Sequence, residues 1–409
     1  MTAAAQEFDV IVAGGGMVGA ATALSLALLD LRVAVIDRVA PPARQAPGYD
    51  DRSTALAAGS RRILEALGAW AALAPKAAPI RTVHVSEHRR LGVTKLSADE
   101  VALDALGWVV ENPRLGAALD DALDRARQVT RIHPASITAL RETGCGVEVD
   151  VDAGTTMQRY HARLLVAADG ARSTVRDLLG IAASVRDYGQ TAIVANLTPR
   201  DAHGDRAWER FTPDGPVALL PLSDRRCALV WTMPHERVDA RMALADGAFA
   251  DEVNALFGAR LGPVERLGRR QAWPLARVLA DEQRRGRIVL VGNAAHSLHP
   301  VAAQGLNLSL RDCAALAEAV AAGLEAGDPA ADAALDQWVR ERRADQRRVT
   351  RFIDGLNGLF TFGPPALGTL RGGGLAAFGL FGAGKRLLAR YGAGIGAPLP
   401  KLARGVPLR

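Results

Sequence analysis

The run from Phe8 to Asp37 constrains the fold more than any other part of this chain. Phe8-Asp9-Val10-Ile11-Val12-Ala13 reads as a buried parallel strand. Gly14-Gly15-Gly16-Met17-Val18-Gly19 follows with the spacing G-x-G-x-x-G, and Ala20 to Leu29 then reads as a helix of small residues. A second strand, Leu31 to Ile36, ends at Asp37. Gly14 permits the tight turn, Gly16 lets backbone N–H groups approach a pyrophosphate, and Gly19 lets helix and strand pack closely. Asp37 stands where a ribose-hydroxyl acceptor belongs, and an acid there favours FAD or NAD over NADP. The six-residue pattern is weak alone; strand, helix, strand and acid in this order make a dinucleotide site the reading.

The chain has 409 residues, enough for a dinucleotide-binding unit and a second, smaller one. Cys145, Cys227 and Cys313 are widely spaced, which suggests a reducing compartment and offers no disulfide or metal framework. The histidines show no ligand spacing either, so no metal is expected. Residues 8–29 are almost entirely apolar, but no Lys or Arg precedes them as in a signal peptide. No other stretch reaches the roughly 18 apolar residues of a membrane span, so a cytoplasmic protein is expected.

The net charge of +6 is unevenly placed. From Gly355 to Arg409 there are seven basic residues and no acidic one, beside Phe360, Phe362, Phe378, Phe381 and many leucines. A membrane surface or a partner protein fits such a tail better than nucleic acid does; a poorly ordered cap is the plainer alternative.

Between these ends, Asp51 to Leu56 reads as the opening of a helix that runs through Arg61 to Leu67. Arg52 near its start either reaches a cofactor or pairs with Asp50 or Asp51. Pro113 suits the first turn of a helix that continues from Gly116 to Gln128. Arg163 to Ala168 reads as a buried strand, with the Asp169-Gly170 turn and a Ser173-capped helix after it. Residues 188–275 change to short alternating segments, Thr191–Leu197, Val217–Pro221 and Arg226–Thr232, expected as an antiparallel sheet on the substrate side. Trp208, Phe211, Trp231, Met233 and Trp273 lie in or near it, as core or as lining of an apolar pocket. Arg287 to Gly292 returns to a parallel-type strand. Asn293 and His296 follow, and Gln304 to Asn307 leads into a helix reaching Leu324. That helix N-terminus aims its positive dipole end at whatever precedes it. His296 is either an acid or base, or a histidine that orients the loop.

Gly14 to Gly19, Arg52, Ala168-Asp169-Gly170 and Gly292 to Leu308 together resemble the class A FAD-dependent aromatic monooxygenases, which share the fold of para-hydroxybenzoate hydroxylase. Within that group the chain is similar to the ubiquinone-biosynthesis ring hydroxylases, in particular those acting on 2-polyprenyl-6-methoxyphenol. Leu56 to Gly59, Thr82 to Ser86, Phe211-Thr212 with Gly215-Pro216, Arg226 to Trp231 and Leu298-His299-Pro300 carry this narrower likeness. Asn293 replaces the aspartate of the wider family and marks this branch, and Ala303 replaces the first glycine of its Gly-Gln-Gly.

The resemblance implies an α/β fold: a Rossmann-like FAD-binding domain with a mixed-sheet, α+β substrate domain. Residues 1–80, 100–180 and 280–350 would form the first, 81–99 and 181–279 the second, and 351–409 the basic tail. It implies FAD as cofactor, NAD(P)H and O₂ as co-substrates, and hydroxylation of a polyprenyl phenol through a flavin C4a-hydroperoxide. Gly14, Gly16 and Gly19 would take the pyrophosphate, Asp37 the adenosine ribose, and Arg52, Asp169, Gly292 and Asn293 the middle of the cofactor. Pro300, Gly305, Leu306 and Asn307 would border the isoalloxazine, with His296, Pro300 and Gln304 as the catalytic candidates. No second G-x-G-x-x-G offers a site for the nicotinamide cofactor, which fits a transient visit and leaves NADH or NADPH open. The tail would serve contact with the inner membrane or a biosynthetic complex. A sibling hydroxylase for another ring position, a prenyl-lipid reductase and a flavin-bound assembly factor are the alternatives.

Overall fold

Three adjacent parallel strands bring distant parts of the sequence to one edge. The computed structural model of the chain describes residues 6–40, 48–90, 92–154, 156–298, 304–361, 382–396 and 398–409. In its eight-stranded sheet, Gln6–Ala13 lies between Val33–Ile36 and Met157–Ala167, both parallel to it. Ile288–Leu290 pairs in parallel on the far side of Met157–Ala167. The turns that follow three of these strands, at Gly14, Asp169 and Gly292, therefore share the C-terminal edge of one sheet, where α/β folds bind ligands. The strands are aliphatic and buried on both faces, as a parallel sheet covered by helices requires.

The helices Met17–Ala27 and Gln304–Glu325 pack together over this sheet. Their joint core with Asn112–Arg125 and the sheet includes Leu24, Leu119, Leu164 and Leu316. Alanines and Gly19 keep the first helix slim, so its backbone lies close to the strands beneath.

Among the described residues the second sheet has nine strands and follows the order Val93–Ser97, Thr82–Glu87, Arg206–Thr212, Gly215–Pro221, Cys227–Pro234, Ala183–Pro199 and onward. Thr191–Leu197, Val217–Pro221 and the stretch to Thr232 pair antiparallel, as their alternation predicts. One face packs Trp208, Trp231 and Met233 against Phe249 of the helix Asp246–Phe257. Those three are core residues, whereas Trp273 keeps 43% of its surface exposed.

Two expectations need correction. The helix expected from Asp51 starts only at Ala58, because Ser53–Ala57 is a strand paired with Gly107–Glu111. The basic tail, in its described parts, folds onto the body: residues 351–361 complete the helix Asp332–Thr361, and Leu402, Ala403 and Leu408 enter the main core. Ala393 accepts a hydrogen bond from Gly59 N, and Lys385 pairs with Glu100. Phe362, Phe378 and Phe381 lie outside the described residues. Among the described residues no helix is long and apolar enough to cross a membrane, and no group of His, Cys, Asp or Glu could hold a metal ion.

Candidate active site

At the shared edge, the glycine loop is shaped by close backbone approach. Gly14 has φ +95°, and a Cβ there would lie 2.6 Å from the Ala168 carbonyl oxygen. A Cβ on Gly19 would lie 1.8 Å from the Gly14 carbonyl oxygen. Gly16 differs, since nothing stands within 4 Å of its Cβ position. It opens on a cavity of about 270 Å³ lined by Gly14, Asp37, Asp169, Gly170 and Thr174. Gly16 is the N-cap of the first helix, which has no side-chain cap and no acidic residue in its first turn. Its N–H groups therefore remain available to an anion.

Asp37 accepts hydrogen bonds from Gly15 N and from Val39 N, at 2.8 Å for the latter, so its carboxylate braces the loop as well as facing the cavity. Asp169 accepts from Val175 N at 3.1 Å through one oxygen, while its other oxygen is buried without a partner. An unpaired buried carboxylate oxygen in a nucleotide-sized cleft suits a hydroxyl donor from the ligand. Gly292 sits against Val18 of the first helix, which joins the two distant segments directly. Asn293 is exposed beside it. These features fit a dinucleotide.

Gly16→Val should leave the fold intact and cost about 1 kcal/mol at most, because its Cβ enters open space while valine is a poorer N-cap than glycine. With the pyrophosphate in that space, as the sequence leads one to expect, FAD affinity should fall at least tenfold; a tenfold loss corresponds to about 1.4 kcal/mol. The ratio of flavin absorbance to protein absorbance after purification measures it.

A second cavity, of about 400 Å³, lies between the nine-stranded sheet, the strand Ser53–Ala57 and the start of the helix Gln304–Glu325. Gln304, Gly305, Leu306 and Asn307 border it on one side; Val83, Val85, Ala218, Leu220 and Val230 border it on the other. Phe352 and Leu388 close a third side. Asn307 reaches back to the strand Ser53–Ala57, donating to Ala55 O and accepting from Ala57 N, both at 2.8 Å. Its side chain thus ties the helix start to that strand. The backbone and Gly305 are left to the cavity.

His296 is placed otherwise than an exposed acid or base would be. It is 1% exposed, lines none of these cavities, and meets Asp312 at 2.5 Å. Asp312 also accepts from Arg342 Nε at 2.6 Å, and Arg342 donates to Asp345 at 2.7 Å. Arg311 completes the group at 3.1 Å from Asp345. Burial alone would raise the Asp312 carboxyl, but Arg342 and His296 outweigh it and hold it below its ordinary value. The network joins the His296 segment to the two long helices. Arg52 stacks its guanidinium 4.4 Å from the Trp273 ring and makes no ion pair with Asp50 or Asp51. Pro300 lies outside the described residues.

One residue of the large cavity escaped sequence reasoning. Glu209 alternates with Ala207 and Phe211 on the strand Arg206–Thr212, and all three line the cavity. An acid in the inward phase of a strand was the available signal. Its accessible surface borders the cavity, and burial pushes its carboxyl up to about 7.

Comparison with known proteins agrees with this geometry. The model of the FAD binding domain family matches residues 7–353. Ubiquinone hydroxylase UbiL of Rhodospirillum rubrum is 38% identical over 98% of this chain and 93% of its own length. The 3-demethoxyubiquinol 3-hydroxylase of Escherichia coli is 34% identical over 95% of this chain and 99% of its own. Among solved structures, p-nitrophenol 4-monooxygenase PnpA from Pseudomonas putida superposes with a TM-score of 0.77, covering 96% of this chain and 99% of that one at 20% identity, a likeness of fold. Near-complete alignment with such relatives, over a fold whose glycine loop, half-buried aspartates and apolar cavity suit a flavin, leaves one assignment: the chain belongs to the FAD-dependent aromatic monooxygenases, within the ring hydroxylases of ubiquinone biosynthesis.

Proposed function

We propose that this enzyme hydroxylates the aromatic ring of a 2-polyprenyl-6-methoxyphenol, with NAD(P)H as reductant. The supporting observation is the cavity of about 400 Å³ between the nine-stranded sheet and the Gln304–Asn307 helix start, whose walls are apolar apart from a few polar groups. A ring with a hydrocarbon tail gains by burial in such walls, and the few polar groups fix its orientation. Bound FAD supplies the activation of O₂; the chain supplies the rest. Gly14 and Gly16 would hold the pyrophosphate, with Gly19 letting the helix pack close enough to reach it; Asp37 and Asp169 would take hydroxyl groups, and the backbone of Gln304–Asn307 would border the flavin ring. The apolar walls exclude water, which keeps reduced oxygen from escaping as peroxide.

The same reading assigns residues 1–80, 100–180 and 280–350 to the cofactor and 81–99 and 181–279 to the substrate. Arg52, Gly292 and Asn293 belong with the cofactor group, and Pro300 beside the flavin. His296 acts through Asp312 as a positioning residue for the loop, not by touching substrate. Phe352 and Leu388 extend the apolar wall, so the C-terminal part would guide the prenyl tail from a membrane surface at the cytoplasmic face. A second ring position is favoured by the name of the Escherichia coli relative, which acts on demethoxyubiquinol.

Oxidation of NAD(P)H by purified, FAD-loaded protein should rise several-fold on adding a short-chain 2-prenyl-6-methoxyphenol. Nuclear magnetic resonance of the product identifies the ring carbon. Stimulation by a demethoxyubiquinol analogue alone would favour the second position, and stimulation by neither would overturn the substrate class.

A further inference from the structure

We infer that Glu209 accepts the proton of the substrate's phenolic hydroxyl, making it a catalytic residue of the large cavity. The inference rests on the phenol substrate proposed above. Glu209 stands in register with Val85 on one neighbouring strand and Ala218 on the other, so it is a lone carboxylate on an aliphatic surface. No hydrogen bond or ion pair to a described residue holds it.

The charged groups nearby are turned away or already matched. Arg210 alternates to the opposite face, and His84, in register with Trp208, lies there too. Both feel Arg260 on that side, and His84 also feels Lys95 and Arg206. Glu111 is held by Arg114 and Arg226, Lys385 by Glu100, and Arg311 by Asp345. On the helix Asp332–Thr361, Asp354 bonds Arg277 and Tyr188. Arg351 of that helix belongs to another cavity, beside Arg277. Burial accounts for the raised Glu209 carboxyl, with Lys385, Arg386 and Arg390 of the helix Gly382–Gly392 the remaining basic groups on that side.

A carboxyl with this acidity is poised to exchange a proton near neutral pH, as an efficient general base must be. The electron balance is simple. The phenol O–H bond breaks and its proton goes to the carboxylate, while the oxygen's electron pair moves into the ring. The ring carbon then forms its bond to an oxygen atom derived from O₂. That carbon loses its own proton as aromaticity returns, and Glu209 hands its proton back to the phenolate oxygen. NAD(P)H provides the two electrons that leave the second oxygen atom as water.

The test compares wild-type holoenzyme with Glu209→Gln and Glu209→Asp. In wild type, kcat/KM for a prenylphenol should fall below pH 7 as Glu209 protonates. Glu209→Gln should lose about 100-fold in kcat/KM at pH 8 and lack this limb, since general-base catalysis contributes about 10²–10⁴. Fluorinated, more acidic phenols should restore part of the loss, and Glu209→Asp should keep the limb. A spectroscopic readout is independent of turnover: a bound 4-nitrophenol should ionise at a pH shifted between wild type and Glu209→Gln. An unchanged pH profile, or equal ionisation of the bound probe in both proteins, overturns the role of Glu209. Wild type that binds neither probe nor prenylphenol overturns the substrate reading together with it.

Discussion

Asp312→Ala should be the most destabilising single change in this molecule, lowering unfolding free energy by about 3–5 kcal/mol, because it strands a buried Arg342 guanidinium without its main counter-charge. Asp312 is fully buried and Arg342 is 4% exposed. In water each would be well solvated; here each depends on the other and on Asp345. The same substitution frees His296, so the Gly292–His296 turn should loosen and flavin retention should drop with stability. Urea unfolding of the full chain measures the first effect, and flavin content the second. As a contrast, Arg32 pairs with Asp9 at the surface at 3.4 Å with 63% of the arginine side chain exposed. Arg32→Ala should change stability little, since surface pairs contribute little.

The pH dependence has a definite sign. Asp312 and Asp345 are carboxyls held below their ordinary value of 3.8 by the arginines around them, against the opposing effect of burial. A depressed carboxyl contributes stability that is fully present above its unfolded value and is lost as pH falls through its folded one. The gap between wild type and Asp312→Ala should therefore be constant near neutrality and narrow below pH 3.8. A gap that widens on acidification would contradict the ion network.

Gly19→Ala should be the second large effect. The added carbon would meet the Gly14 carbonyl oxygen at 1.8 Å, and that oxygen belongs to backbone that cannot rotate aside. Relief requires the first helix to lift from the sheet, which opens the core and carries the helix N-terminus away from the nucleotide. Overpacking of well-filled cores costs about 1–3 kcal/mol, occasionally more, and a backbone clash this close belongs at the upper end. Flavin binding should be lost alongside. The comparison with Gly16→Val separates two jobs within six residues: Gly19 serves packing, so both stability and cofactor should suffer, whereas Gly16 faces open space and its loss should fall mainly on the cofactor.

These contrasts show why some of the site was legible in the sequence. The fingerprint is local: its turn, helix and acceptor follow within one strand-helix-strand unit, so spacing alone encodes the geometry. Asp169-Gly170 with the Ser173 cap is equally local, and Ser173 does accept from Arg176 N at 3.0 Å. The strand Ser53–Ala57 is not legible locally, because its state depends on Gly107–Glu111 and on Asn307, all far along the chain. Composition likewise separates the basic tail from the body, yet says nothing of where Leu402 and Leu408 find burial. The position of His296 depends on Asp312 and Arg342, which no spacing rule connects to it. Glu209 is the reverse case. Its inward phase was readable from alternation, but its meaning appears only once aliphatic neighbours from other strands surround it.

The most direct measurement is isotope incorporation from ¹⁸O₂ during turnover of a short-chain prenylated methoxyphenol by the FAD-loaded enzyme. A product whose new ring hydroxyl carries the label, formed in step with NAD(P)H oxidation, is the predicted result. NAD(P)H consumed with an unhydroxylated or hydrogenated product, or a hydroxyl oxygen drawn from solvent water, would contradict ring hydroxylation by this protein.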